Sequence, residues 1–129
     1  MTTQEKTIAF LQYQLPAIAW CMFIYIASSI PSDNIPAFTS SSDKFVHAGV
    51  FAMLCWLSHV AFFHQPFQWL RRHALLLAVL FTALYGVADE FHQSFTPGRY
   101  SDPLDLLADT VGGLLYASLH AWLRFYRYE

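Results

Sequence analysis

Apolar positions come in four long blocks, and polar positions gather in the joints between them. No Asp, Glu, Lys or Arg occurs between Lys6 and Asp33. None occurs between Phe45 and Phe63, where the titratable rings are His47 and His59. A third block runs from Ala74 to Ala88 and a fourth from Leu104 to Leu123. At 1.5 Å of rise per residue, about 20 apolar residues cross a hydrocarbon core of about 30 Å. The pattern predicts four transmembrane helices, over about 8–30, 45–63, 74–95 and 104–123. They would pack as one all-α, polytopic membrane domain spanning 1–129. The last two helices are long enough only if Asp89, Glu90, Asp105 and Asp109 lie inside them, about one to two turns from an end.

The joints carry turn and cap signals. "PSDNIPAFTSSSD" joins the first two blocks, with Ser42 or Asp43 expected as N-cap of the second helix. "HQPFQWLRRH" (His64 to His73) reads as the loop between the second and third. "TPGR" (Thr96 to Arg99) fits a type II turn, with Pro97 at its second position and Gly98 at the third, where φ is positive. "SDPLD" reads as a helix start: Asp102 as N-cap, Pro103 at the first helical position, Asp105 in the first turn. Pro16 is expected to kink the first helix. That first block is longer than the roughly 7–15 residues of a signal-peptide core, and only Lys6 precedes it. A retained span is therefore expected rather than cleavage near Ala27-Ser28-Ser29.

Composition agrees with lipid as the solvent. Hydrophobic residues make up 56% of the 129 and charged residues 12%, against about 25% charged in soluble domains. The net charge of −2 supplies no basic face for nucleic acid. Cys21 and Cys55 sit inside apolar blocks and read as small buried hydrophobes. With four spans, Lys6, Arg71, Arg72, Arg124 and Arg127 share one side, and Lys44 and Arg99 the other. This bias predicts cytoplasmic N- and C-termini, with Trp69, Trp122 and Tyr126 at the cytoplasmic interface.

In that topology a polar set converges at the outer leaflet. Lys44 and His47 start the second helix on one face. Asp89, Glu90, His92 and Gln93 end the third. Arg99 sits in the turn, and Asp105 and Asp109 stack at the start of the fourth. The helix dipole accounts for Asp102 and Asp105 but not for Asp109, a turn deeper, nor for acids at a helix C-terminus. Ionised groups inside membrane helices usually face the bundle interior and mark a functional site. Charge pairing alone is the structural alternative. Ala108/Gly112, Gly113/Ala117 and Ala117/Ala121 have the small-xxx-small spacing of close helix contacts. Asp109, Gly112, Tyr116 and His120 fall on one inward stripe. His59, His64, His73 and His120 read as packing or interface residues.

Two segments, "DKFVHAGVFAML" and "YGVADEFHQSFTPGRYSDPLDLLADTVGGLLYA", resemble the VanZ-like family of small bacterial membrane proteins, named for a protein implicated in teicoplanin resistance. Its K-xx-H falls on Lys44 and His47, and its D-E-x-x-Q on Asp89, Glu90 and Gln93. Its P-x-R falls on Pro97 and Arg99, its D-x-x-x-N/D on Asp105 and Asp109, and its glycine on Gly112. Asp43 and Asp102 match frequent acids. Asp109 stands where the family often has Asn. The resemblance implies four membrane helices and an envelope role in the bacterial inner membrane.

The residues support three functional classes. The first is an enzyme or binding protein for an anionic envelope lipid or lipid-linked precursor. Lys44 and Arg99 would then hold phosphate, and Gln93, Asp89 and Asp109 would line the site. Glu90, His47 or Asp105 would act as acid or base. Glu90, Asp105 and Asp109 can instead hold a divalent cation through oxygens. Neither G-x-S-x-G nor H-E-x-x-H occurs. The second class is a non-enzymatic accessory or scaffold that alters drug access. The third is a small ion-coupled transporter, disfavoured because the carboxylates gather on one side.

Overall fold

The computed structural model describes residues 2–37 and 40–127, and every regular element among them is helical. We number them α1 (Thr3–Ser28), α2 (Ser40–Phe63), α3 (Gln68–Arg72), α4 (Ala74–Gln93) and α5 (Pro103–Arg127). A 3₁₀ turn, Ser32–Asn34, lies in the first joint.

Helix α1 begins earlier than its apolar block. Thr2 and Glu5 form a capping box that starts the helix at Thr3, satisfying two backbone donors. Between Phe10 and Gln14 the helix widens to π register, and the Leu15 N–H reaches back to the Phe10 carbonyl. Pro16 follows directly. It has no N–H, and its ring would press on the Gln12 carbonyl in regular α geometry. The expected distortion at Pro16 is thus a π segment just upstream of it, a recognised way to relieve such strain.

Helix α2 also starts early, at Ser40. Ser42 and Asp43 are therefore not N-caps but lie in its first turn, where Asp43 meets the positive helix end. The second joint is not all loop, since α3 is a short helix inside it. Helix α4 ends at Gln93 rather than near 95. The turn after it is as expected: Gly98 has φ 73°, and the Arg99 N–H donates to the Thr96 carbonyl at 3.0 Å. A side chain at Gly98 would also run into Ser32 Oγ. Asp102 caps α5, its carboxylate accepting from the Leu104 N–H at 2.8 Å.

Helices α2, α4 and α5 pack mutually, while α1 leans on α2 and α4. The α2/α5 seam is the tightest, because Gly112 lies directly on the Ala48 backbone: a Cβ there would come within 3.0 Å of Ala48 Cα and closer to its carbonyl. Gly113 packs on Thr82 of α4. Ala121, by contrast, is exposed, so the Ala117/Ala121 spacing is not buried in a helix seam.

The interior is inverted relative to a soluble protein. Ile24, Phe51 and Leu54 form a small apolar core, yet among the described residues buried polar and charged side chains outnumber buried apolar ones. Large apolar side chains such as Phe45, Leu84 and Phe91 face outward. Among the described residues, three helices are long and apolar enough to cross a membrane: Thr3–Ser28, Ser41–Phe63 and Ala74–Gln93. Helix α5 is long enough but falls short of the others in apolar character.

Candidate functional site

The up-and-down packing brings the C-termini of α1 and α4 and the N-termini of α2 and α5 to one end of the bundle. Lys44, on the first turns of α2, reaches across to α5. Its ammonium donates to Asp102 Oδ2 at 2.7 Å and to Asp105 Oδ1, with Asp43 Oδ2 at 3.8 Å. One lysine thus faces three carboxylates. Lys44 holds the Asp102 carboxyl below the usual carboxylate range, helped by the Leu104 N–H. One turn deeper, His47 is hydrogen-bonded through Nδ1 to Asp109 Oδ1 at 2.8 Å. Its Nε2 lies 3.9 Å from both Asp43 Oδ1 and Asp105 Oδ2.

The two acids at the end of α4 have different partners. Asp89 accepts from the Ser28 hydroxyl of α1 and from Gln93 Nε2 at 3.0 Å. These donors offset its position at a helix C-terminus, where the dipole disfavours a negative charge. Glu90 Oε2 accepts the Asp102 backbone N–H at 2.9 Å. Glu90 therefore sits against the positive end of α5, a neighbouring helix, which explains an acid that its own helix disfavours.

Two carboxylate oxygens are left over. Glu90 Oε1 and Asp109 Oδ2 are buried and meet no donor among the described residues. A buried acceptor without a partner costs about 1–3 kcal/mol, and more when charged. His47, Glu90 and Asp109 each offer a ligand atom within 4.8 Å of the others'. Asp43, His47 and Asp105 form a second such group. Asp105 thus groups with Asp43 and His47, beside the Lys44 pair, rather than with Glu90 and Asp109.

Arg99 goes elsewhere. Its Nε and Nη2 donate to the Ile30 and Ala27 carbonyls at 3.2 and 3.1 Å, and Thr96 Oγ1 donates to the Ser28 carbonyl at 2.9 Å. Both close the C-terminal end of α1, where a cation complements the dipole. Arg99 still borders a cavity of about 530 Å³ between α1 and α2. Phe23, Ile24, Val46, Val50 and Phe51 form its apolar walls, and Asp43, His47, Asp89, Gln93 and Arg99 its polar end. His47 is the hinge of the arrangement, lining the cavity on one side and holding Asp109 on the other.

Of the expected site residues, Lys44, His47, Glu90, Asp105 and Asp109 come together where α2, α4 and α5 meet. Asp89, Gln93 and Arg99 gather around the end of α1. Ser28 was not foreseen as part of the site. A serine at the end of an apolar run carries no local signal, and its partner Asp89 is 61 residues away. The four histidines read as packing or interface residues have packing partners: His64 stacks on Tyr13 at 3.7 Å, His73 bonds the Trp69 carbonyl, and His59 pairs with Tyr116 at 2.8 Å beside His120.

In comparison with known families, the family model described as VanZ/LLP1 matches residues 10–124. No curated protein and no solved structure matches the chain.

Proposed function

We propose that this chain, a membrane protein belonging to the VanZ/LLP1 family, has its polar end at a lipid interface and binds the headgroup of an anionic envelope lipid or lipid-linked precursor there. The observation that carries this reading is the cavity beside α1, whose apolar walls run into a polar end containing Arg99 and His47. An amphiphile fits such a lining: its chain lies along Phe23, Val46 and Phe51, and its headgroup meets the polar end. The acids that share the lining are already occupied. Asp89 is hydrogen-bonded by Ser28 and Gln93, and Asp43 faces Lys44 and His47. Arg99 keeps Nη1 uncommitted among the described residues, so it can take a phosphate oxygen in a charge-assisted bond. Lys44, spent on Asp102 and Asp105, acts as a positioning residue rather than a phosphate ligand.

In this proposal α5 is a fourth span. Leu107, Leu114, Leu115 and Leu119 are exposed on its outer face, a surface suited to lipid. The chain then crosses the bacterial inner membrane with both termini in the cytoplasm, following the Lys and Arg bias. The cavity opens at the outer leaflet. Occupancy by a cell-wall precursor would change its exposure to a glycopeptide such as teicoplanin. Of the acid–base candidates, Glu90 has an unpartnered oxygen, whereas Asp105 and His47 are held by Lys44 and Asp109.

The reading is tested by replacing Glu90, Arg99 or Asp105 with Ala and profiling envelope lipids by mass spectrometry. It expects one anionic lipid class to change in abundance. An unchanged profile in variants that insert normally would sink it.

A further inference from the structure

We propose that His47, Glu90 and Asp109 form a binding site for a first-row divalent cation, Zn²⁺ or Mn²⁺, at the junction of α2, α4 and α5. Their ligand atoms lie within 4.8 Å of one another, and each comes from a different helix. Glu90 and Asp109 are 4% and 0% exposed. Each keeps a buried oxygen, Glu90 Oε1 and Asp109 Oδ2, without a donor among the described residues.

The neighbouring charges do not supply what these oxygens need. Lys44 is engaged by Asp102 and Asp105, and Arg99 by carbonyls of the α1 end. Among the described residues His47 faces the Glu90–Asp109 pair, but its hydrogen bond goes to Asp109 Oδ1, so Glu90 Oε1 and Asp109 Oδ2 stay open to a cation from outside the chain. The donor set selects its kind. Imidazole suits zinc and the later first-row metals, and carboxylate suits manganese and harder ions. One nitrogen with two carboxylates points to the overlap. Space is provided by Gly86, since a Cβ there would come to 3.1 Å from Asp109 Oδ2. The grouping revises the all-carboxylate set of Glu90, Asp105 and Asp109, because Lys44 has claimed Asp105.

His47 also borders the lipid cavity, so the ion lies where it can draw a phosphate inward. That last step rests on the function proposed above; the metal site does not.

The experiment uses the full chain in detergent, stripped of metal with a chelator and with no lipid added. It is titrated with Mn²⁺ or Zn²⁺, and bound metal is counted after desalting. A single ion per chain is expected, with the Mn²⁺ spin-resonance signal showing coupling to an imidazole nitrogen. Loss of an outer partner of a metal site alone weakens binding by about 10–100-fold. Glu90→Gln and Asp109→Asn, which remove ligands, should each weaken it by at least about 100-fold. His64→Gln, which alters a histidine stacked on Tyr13 away from the site, should leave affinity unchanged. Metal that fails to bind stoichiometrically overturns the proposal, as does binding that survives both carboxylate changes or a spectrum without nitrogen coupling. The metal count and spectrum of the unaltered chain decide the matter even if the variants misfold. With no lipid present, failure of the lipid reading leaves this result standing.

Discussion

Single residues at this site have two kinds of neighbour, near in sequence and far from it. The near ones are readable from the chain. Asp102 caps its own helix two residues on, and Gly98 takes the positive φ that its turn requires. The far ones are not. That Lys44 would meet Asp102 and Asp105, 58 and 61 residues away, follows from packing that no local spacing encodes. The same holds for Arg99, whose guanidinium closes the end of α1 as well as bordering the cavity. Two predictions belong here. Lys44→Ala leaves buried Asp105 without its cation and should destabilise the protein by about 1.5–3 kcal/mol, the range for hydrogen bonds to charged groups. Pairing it with Asp105→Asn should recover part of that loss in a thermal-unfolding double-mutant cycle. Gly112→Ala drives a Cβ into the Ala48 backbone and should cost about 1–3 kcal/mol, as overpacking does. Gly49→Ala meets nothing within 4 Å and should be neutral or stabilising in the same assay.

At the scale of elements, the apolar blocks announce the helices but not their ends. Helix α1 starts at Thr3 because a capping box in the polar flank extends it. Helix α2 starts at Ser40 because a polar Ser and Asp segment can still be helical beyond the apolar block. The length of an apolar block measures what lipid tolerates, and helix propensity carries on into the headgroup region. The start of α5 depends on pH through Asp102. Lys44 lowers the Asp102 carboxyl's pKa. Its contribution is therefore present above the ordinary carboxylate range and is lost as pH falls through the lowered value. The thermal midpoint of the unaltered protein should drop on acidification from about pH 7 to about pH 3. In Asp102→Asn, which keeps a capping side chain but has no charge to titrate, that part of the drop should be absent. An identical pH profile in the variant would assign the acid sensitivity to other groups.

For the whole molecule, the inverted interior and the outward apolar faces make lipid the surrounding solvent, and the four helix ends make one polar site. The block pattern made that convergence legible, because antiparallel neighbours must return their charged ends to the same side. It could not divide the site into the Lys44–Asp105 pair, the His47–Glu90–Asp109 group and the α1-linked Asp89–Gln93 set, since the division depends on side-chain reach across helices. Topology can be checked by labelling single cysteines, in a background lacking Cys21 and Cys55, with a membrane-impermeant reagent on intact cells. Tyr100→Cys, in the joint before α5, should label, and Gln65→Cys, in the joint after α2, should not. The reverse pattern would place the site in the cytoplasm. The central claim is that the cavity beside α1 holds an anionic lipid by its headgroup. Native mass spectrometry of the protein released from its own membrane tests this most directly. The unaltered chain should carry a phosphate-bearing lipid that Arg99→Ala loses while retaining its fold. Equal lipid occupancy in the two proteins would contradict the account.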